Sequence, residues 1–399
     1  MSVVAPKGFV AGGAVIGIKD SGAPDLAIVA TADGAPATAA GVFTTNLACA
    51  APVQISRVHL ADGRAAAVVL NSGNANAATG AAGRTVAFGM AELTAAGIGA
   101  PPTDVLVCST GLIGIPMPLG PFTAGIPPLA ASLGATPEHG GAAAQAILTT
   151  DTVRKEAVAT ATADGTTVTV GGMAKGAAML APAMATMLAV VTTDATIDAE
   201  PLQRALVAAV DASFNSMIVD GCTSTNDTVL VLANGASGNP LITGTTGAAY
   251  HAFADALTEV CAGLARQMAA DAEGATKLAT IEVVGARSDR EAMLAARTIA
   301  NSNLVKCSLY GQDPYWGRVL SELGASGAGF DPERTTIAYD GIVVCRDGVA
   351  VPHDAAALAA VMGQREITIT SDLREGTGRA VILTTDLTHA YVDENMGTS

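Results

Sequence analysis

Aromatic side chains are scarce in this chain. Phe, Tyr and Trp make up 3% of its 399 residues, so large aromatic clusters cannot dominate the core. Close packing of Ala, Gly and aliphatic residues has to take their place. Charge is scarce too, at 14%, which is low for a surface-rich monomer and favours burial in an oligomer. Basic residues are the rarer sign, with 21 Lys and Arg against 36 Asp and Glu and a net charge of −15. No long basic run offsets that balance, so we expect neither nucleic acid nor an anionic membrane as partner.

Other signals are missing as well. The six cysteines (Cys49, Cys108, Cys222, Cys261, Cys307, Cys345) are scattered with no CxxC pair. They read as free thiols in a reducing compartment ahead of a zinc site. None of the five histidines (His59, His139, His251, His353, His389) stands at ligand spacing, and they read as structural or exposed. There is no GxGxxG, P-loop, HExxH or GxSxG. The first residues, MSVVAPKGFVAGG, lack a basic start followed by a long apolar stretch. No apolar run is long enough to span a bilayer; residues 179–191 are too few and contain Pro182. The expectation is a soluble, cytoplasmic protein.

What is present suits a large core. Half of the residues are hydrophobic, and the length exceeds one average domain. Strand-like runs occupy residues 14–18, 26–30 and 65–70, and an Asn/Gly/Ala stretch from Asn71 to Gly80 reads as a loop entering a helix. That loop is equally a structural turn or a site-lining segment. Residues 105–111 read as a strand ending in a turn, 142–149 as a short helix, and 166–170 as a strand. Asp198 opens a helix whose apolar stripe is Leu202, Leu206, Val210 and Phe214. Residues 251–270 form the clearest helix, striped by Phe253, Leu257, Val260, Leu264 and Met268. A strand follows over 278–284, then a helix to about Ala300 announced by a Ser288/Glu291 capping box. Asp340-Gly341 signals a hairpin between 335–339 and 342–345, and 367–370 and 380–384 are strand-like. The strand-and-helix rhythm of both halves indicates an α/β protein.

The stretch from Gly171 to Ala195, GGMAKGAAMLAPAMATMLAVVTTDA, organises the rest. Lys175 is its only basic residue, and no acid appears before Asp194. An apolar run of this kind is ordinarily a strand buried on both faces, with its threonine a satisfied hydroxyl. A second chemistry is open to Thr186. A threonine at a chain start can use its own α-amine as the base for Oγ. An internal threonine gains that amine only if the bond before it is cut. Its Oγ can do this by attacking the preceding carbonyl, converting amide to ester, which water then hydrolyses. Ala185 adds little bulk at that carbonyl, and Pro182 restricts the chain just upstream.

The run from Lys175 to Leu188, KGAAMLAPAMATML, closely resembles the self-cleavage segment of the ornithine acetyltransferase family, the bifunctional glutamate N-acetyltransferases. The resemblance covers essentially the whole chain. It includes Ala5-Pro6-Lys7-Gly8-Phe9, Asn71-Ser72-Gly73-Asn74-Ala75-Asn76 and Cys108-Ser109-Thr110-Gly111-Leu112-Ile113-Gly114. It continues through Thr149-Thr150-Asp151-Thr152, Thr223-Ser224-Thr225-Asn226-Asp227-Thr228 and Asp271-Ala272-Glu273-Gly274-Ala275-Thr276-Lys277. Asp313-Pro314-Tyr315-Trp316-Gly317-Arg318 and Thr384-Thr385-Asp386-Leu387 complete it.

The resemblance implies stacked mixed β-sheets flanked by helices, the fold shared with self-cleaving aminopeptidases. It implies cleavage between Ala185 and Thr186, giving an α chain of residues 1–185 and a β chain of 186–399, two of each in a heterotetramer. Thr186 would then pass acetyl from N-acetylornithine to glutamate by a ping-pong acyl transfer that recycles acetyl in arginine biosynthesis and needs no metal or organic cofactor. Whether acetyl-CoA is a second donor stays open. Thr110 and Gly111 match the family's oxyanion hole, and Thr149 a substrate contact. Lys175 matches a carboxylate-binding residue, and Glu273 a carboxylate for the ornithine amine. Asn395 and Ser399, or Thr398 beside it, match a tail that folds into the site. This tail is one residue shorter than usual and lacks its aromatic, and Ala183 stands where many members carry a polar residue. The rival activity is an aminopeptidase or amidase with the same N-terminal nucleophile and water as acceptor.

Overall fold

The computed structural model describes residues 2–181 and 187–397. The expected cleavage site, Ala185 and Thr186, and the tail residues Thr398 and Ser399 lie outside the described residues. The chain divides into two compact units, one of residues 1–215 and 222–268, the other of residues 216–221 and 269–399.

The first unit holds two sheets. One has the order β1-β2-β5-β6, from β1 (Phe9–Ala14), β2 (Leu26–Thr31), β5 (Ala67–Asn71) and β6 (Val105–Ser109). The other has the order β4-β3-β11-β9-β8-β7. Its strands are β3 (Ala37–Phe43), β4 (Arg64–Ala65), β7 (Lys155–Ala163), β8 (Thr166–Lys175), β9 (Leu188–Thr193) and β11 (Thr228–Ala233). Both are mixed: β5/β6 and β9/β11 run parallel, and the other pairs antiparallel.

Side chains alternate across a strand, and β2, β5, β6, β9 and β11 are buried along their whole length, so each sheet has to be covered on both faces. Ala27, Val29, Val68, Leu70, Leu106 and Cys108 meet Met173, Leu188, Val190, Leu230 and Leu232 in one core between the sheets. The alternate residues Leu26, Ile28, Val69, Val105 and Val107 pack under α2 (Gly80–Ile98) and α3 (Gly120–Ala130). On the second sheet, α5 (Ala199–Ala212) lies against β3, and Val260 and Leu264 of α6 (Ala248–Ala270) pack at Gly172 of β8. The stacked, helix-flanked α/β arrangement expected from the sequence is thus the one observed.

Helix side chains close the strand edges that backbone pairing leaves open. Ser56, on α1 (Ala51–His59), donates to the Val107 carbonyl and accepts its N–H, both at 2.7 Å. The amide of Gln203 does the same at Gly41 (3.2 Å each), and Gln267 at Glu156 (3.1 and 3.2 Å).

The second unit is built on a seven-stranded sheet, order β10-β17-β12-β16-β13-β14-β15. It comprises β10 (Met217–Ile218), β12 (Leu278–Ala286), β13 (Thr336–Tyr339), β14 (Ile342–Arg346), β15 (Val349–Ala350), β16 (Glu366–Asp372) and β17 (Gly378–Thr385). Its core combines Ile281, Val283, Ile369 and Ile382 with Ala292, Ala296 and Ile299 of α7 (Asp289–Asn301). The Asp340-Gly341 hairpin forms as expected, with both residues at positive φ (43° and 81°), the backbone of a tight two-residue turn.

Several local expectations are corrected. Residues 15–18 are not strand, because the Asp25 carboxylate takes the N–H groups of Ile16, Ile18 and Lys19 (2.7, 2.6 and 3.0 Å). Those donors are thereby withdrawn from any ladder. The single strand read over 65–70 is two, divided at Ala66 between the two sheets. The helix read over 142–149 runs earlier, as α4 (Pro137–Ala146). Phe214 lies past the end of α5 yet is buried, and Asp198 makes no side-chain cap. Of the capping box, Ser288 accepts the Glu291 N–H at 3.3 Å, while the Glu291 carboxylate takes the N–H of Gly329 at 3.1 Å. No helix among the described residues is long and apolar enough to cross a membrane.

Candidate active site

Parallel strands β5 and β6 end side by side at Asn71 and Ser109. The loops beyond them carry the Asn-rich motif and Thr110-Gly111. They are bound together: Asn71 Nδ2 donates to the Asn74 carbonyl (2.9 Å), and Ser109 Oγ to Asn71 Oδ1 (2.5 Å). Asn226, in the segment before β11, donates to the carbonyls of Ala75 and Ser109 (2.6 and 2.8 Å). The stretch from Asn71 to Gly80 is therefore both turn and frame. Gly111 has φ of 130°, and a Cβ there would lie 2.3 Å from the Gly73 carbonyl carbon, so only glycine fits.

The second sheet brings Lys175 to this point. It ends β8 opposite Leu188, which opens β9, so Lys175 stands at one mouth of the connection that contains Ala185 and Thr186. Lys175 is buried, and its Nζ donates to Thr149 Oγ1 (2.7 Å) and Thr110 Oγ1 (3.3 Å). A hydroxyl that accepts from an ammonium keeps its own proton to donate. Both threonines thus retain a donor for a ligand oxygen.

Asp151 ties the cluster together. Its side chain is closed to solvent, with Lys155 Nζ at 2.5 Å and Lys175 Nζ at 3.8 Å. It also takes the N–H groups of Thr149 (3.1 Å) and Gly176 (2.7 Å). Burial pushes this carboxyl upward, but the ammonium groups of Lys175 and Lys155 and the donated hydrogen bonds overcome it and hold it at about 2. Asp227, at the start of β11, is also buried, and its Oδ1 takes the Met187 N–H at 2.8 Å. Here burial prevails, and the carboxyl is raised well above the usual range despite Met187, Ser224 and the charge of Lys175.

In the second unit Glu273 is buried in the turn after α6, and Asn395 Nδ2 donates to its Oε2 at 2.8 Å. Asn395 sits just past α11 (His389–Glu394), which is lashed to that turn by Thr388 Oγ1 on the Gly274 carbonyl (2.7 Å).

Of the expected site residues, the structure thus gathers Thr110, Gly111, Thr149 and Lys175 at one place, and Glu273 with Asn395 at another. Thr186, Ala185 and Ser399 fall outside the described residues. Sequence reasoning quoted Asp151, Asn226 and Asp227 inside motifs but gave them no part. The signal available was chemical: an acid opening an otherwise apolar strand, Asp-Thr-Val-Leu-Val-Leu, needs a partner if buried.

The model of the ArgJ family matches residues 10–397. The arginine biosynthesis bifunctional protein ArgJ of Symbiobacterium thermophilum is 49% identical over 393 residues, which cover 98% of this chain and 97% of that one. Its counterpart in Streptomyces coelicolor is 49% identical over 396 residues, 99% of each. A solved structure, ornithine acetyltransferase complexed with ornithine from Mycobacterium tuberculosis, is 41% identical over 45% of this chain and 94% of that chain, with a TM-score of 0.41. With a family model matched from residue 10 to 397 and full-length relatives at 49% identity, this chain belongs to the ArgJ family.

Proposed function

We propose that this chain is an acetyltransferase of arginine biosynthesis that moves acetyl from N-acetylornithine to glutamate, giving ornithine and N-acetylglutamate. The observation that carries it is the hydrogen-bonded group of Thr110, Thr149 and Lys175 at the β8–β9 connection, in a chain that matches its relatives end to end.

In this reading Thr186 Oγ attacks the Ala185 carbonyl, the amide becomes an ester, and water releases an α chain (1–185) and a β chain (186–399). The freed α-amine of Thr186 then takes the Oγ proton as Oγ attacks the acetyl carbonyl of N-acetylornithine. The Thr110 hydroxyl and the Gly111 backbone receive the oxyanion, a contact worth about 2.7–4 kcal/mol where one donor has been removed from comparable sites. Lys175 binds a substrate carboxylate as a point charge. Glu273, with Asn395 and the terminal Thr398 or Ser399, receives the ornithine amine. Ornithine departs, and glutamate collects acetyl from Thr186. Acetyl-CoA as a second donor, the assembly of two α and two β chains, and a place in the cytoplasm belong to the same proposal.

The acyl-enzyme is the test. Matured enzyme mixed with N-acetylornithine alone should release a burst of ornithine near one per site, with one acetyl on Thr186 by mass spectrometry. Glutamate should then discharge it as N-acetylglutamate. Thr186→Ala should remain a single 39.4 kDa chain with no transfer. Free acetate in place of N-acetylglutamate would make the enzyme an amidase, and intersecting initial-rate plots with no acetyl-Thr186 would remove the covalent step.

A further inference from the structure

The reaction set out above makes a chemical demand that its named residues leave unmet. The side chain of N-acetylornithine ends in an amine and that of glutamate in a carboxylate, and a carboxylate such as Glu273 suits only the first. The second needs a cation. Lys19 is half-buried and belongs to the same unit as Thr110, Gly111, Thr149 and Lys175. The buried Asp25 carboxylate folds the chain there by taking the N–H groups of Ile16, Ile18 and Lys19. The Asp25 carbonyl accepts the Ser72 N–H at 3.0 Å, and Ser72 Oγ donates to the Ala146 carbonyl at 2.6 Å. The Lys19 loop is thus fastened where the Asn-rich loop meets the end of α4. On one side of that seam a Cβ on Gly73 would lie 2.9 Å from Lys19 Cγ, so the lysine stem runs over the glycine against which Gly111 packs. On the other, Lys19 Nζ donates to the carbonyl of Leu148, the residue before Thr149, at 2.6 Å and to that of Pro24 at 2.7 Å. Both acceptors are neutral, and Lys19 makes no ion pair among those found for the described residues. An ammonium has three N–H groups, so one remains. Burial lowers this ammonium from its ordinary value against the pull of Asp25, and the next charges acting on it are Lys175, which lowers it further, and Asp151. Two ammonium groups that repel one another are a cost to the protein alone, and a doubly negative ligand offsets it.

We propose that Lys19 is the specificity-determining residue for the acceptor: its remaining N–H donates to the side-chain carboxylate of glutamate, while Lys175 holds the α-carboxylate. This rests on the reading of the chain as an acetyltransferase to glutamate. Glutamate and N-acetylglutamate bring two carboxylates to two ammonium groups. N-acetylornithine brings one carboxylate, and its terminal ammonium is repelled by Lys19 and attracted by a carboxylate such as Glu273. Separate partners for the amine and the carboxylate side chains let one nucleophile serve both halves of the cycle.

The test offers acetyl-enzyme, formed from N-acetylornithine, either glutamate or its neutral isostere glutamine. Wild type should prefer glutamate in kcat/KM by roughly tenfold to hundredfold, the worth of a charge-assisted hydrogen bond. Lys19→Met should lose most of that preference, and Lys19→Arg, which keeps the charge, should retain much of it. No preference in wild type, or the same preference in Lys19→Met, would overturn the proposal. So would an equal loss for both acceptors, since Lys19 would then only brace the Leu148 and Pro24 carbonyls. A second measurement keeps the lysine in place and decides the matter even where Lys19→Met does not fold or mature. N-acetylglutamate should shield Lys19 of wild-type enzyme from amine-directed labelling, read by peptide mass spectrometry, and N-acetylglutamine should shield it far less. Equal shielding by the two would remove Lys19 from acceptor recognition. Wild-type enzyme that hands acetyl to water and to neither amino acid would overturn the functional reading itself, whereas an unchanged preference in Lys19→Met would leave that reading standing.

Discussion

Asp151 and Asp227 are two aspartates shielded from water in the same unit, and their carboxyls are shifted in opposite directions. Asp151 lies between two ammonium groups and accepts two backbone N–H bonds, and its carboxyl is held at about 2. Asp227 is raised well above the usual range by burial, which outweighs the Met187 N–H, Ser224 and the charge of Lys175, with no ammonium group in an ion pair with it among those found for the described residues. Burial is common to both, so burial does not decide the charge. The ammonium groups brought against each carboxyl decide it.

The largest expected effect comes from removing the better-paired of the two charges. Asp151→Asn leaves Lys155 and Lys175 without their carboxylate, and breaking a buried pair in this way costs about 3–5 kcal/mol, measurable by urea or thermal denaturation at pH 7. The pH dependence carries a sign. A depressed carboxyl stabilises the fold fully above its unfolded pKa, about 3.9, and that stability is lost as pH falls from about 4 to about 2. The variant should lose this acid-side slope. For Asp227 the sign reverses: a raised carboxyl favours the fold at low pH, and the stability declines as pH climbs from about 4 toward its raised value. Asp227→Asn should therefore be neutral or stabilising at pH 7. Destabilisation of both variants alike would break the contrast.

A smaller effect tests whether the Asp151 cluster aligns chemistry as well as structure. Thr110→Ala removes one hydroxyl that Lys175 holds at 3.3 Å. Acetylation of Thr186 should slow by roughly 10²–10³, or about 2.7–4 kcal/mol, if this hydroxyl is an oxyanion donor. Its fold stability should change much less than that of Asp151→Asn, and an unchanged single-turnover rate would remove Thr110 from the oxyanion site.

The smallest effect belongs to a carboxylate proposed to serve the substrate and not the protein. Glu273 meets Asn395 and carries no ion pair among those found for the described residues. Glu273→Gln should leave self-cleavage and stability near wild type and raise KM for N-acetylornithine about tenfold, some 1.4 kcal/mol. An unchanged KM would return Glu273 to a structural part in fastening the C-terminal tail.

Much of this molecule is legible locally. The stripe from Phe253 to Met268 lies on one face of α6 and is fully buried, because a 3.6-residue period is visible in any window of the chain. Asp340-Gly341 forms its hairpin for an equally local reason, since few residue pairs accept two positive φ angles. The strand misread at residues 15–18 fails because one carboxylate, Asp25, captures backbone donors that a strand would need.

The sequence by itself determined the order of the motifs, the family, the main helices and strands, and which residue types stand at Thr110, Thr149, Lys175 and Glu273. Only the tertiary structure decided that Lys175 reaches Thr110 across 65 residues and that Asn226 holds the Ser109 carbonyl across 117. It also decided that the Asp151 carboxyl is held low while that of Asp227 is raised. Nothing local distinguishes these two acids, because each stands beside threonine in a short polar motif. Their charge depends on how much water the two stacked sheets exclude and which ammonium groups those sheets carry to each carboxyl, and both are set by segments distant in the chain.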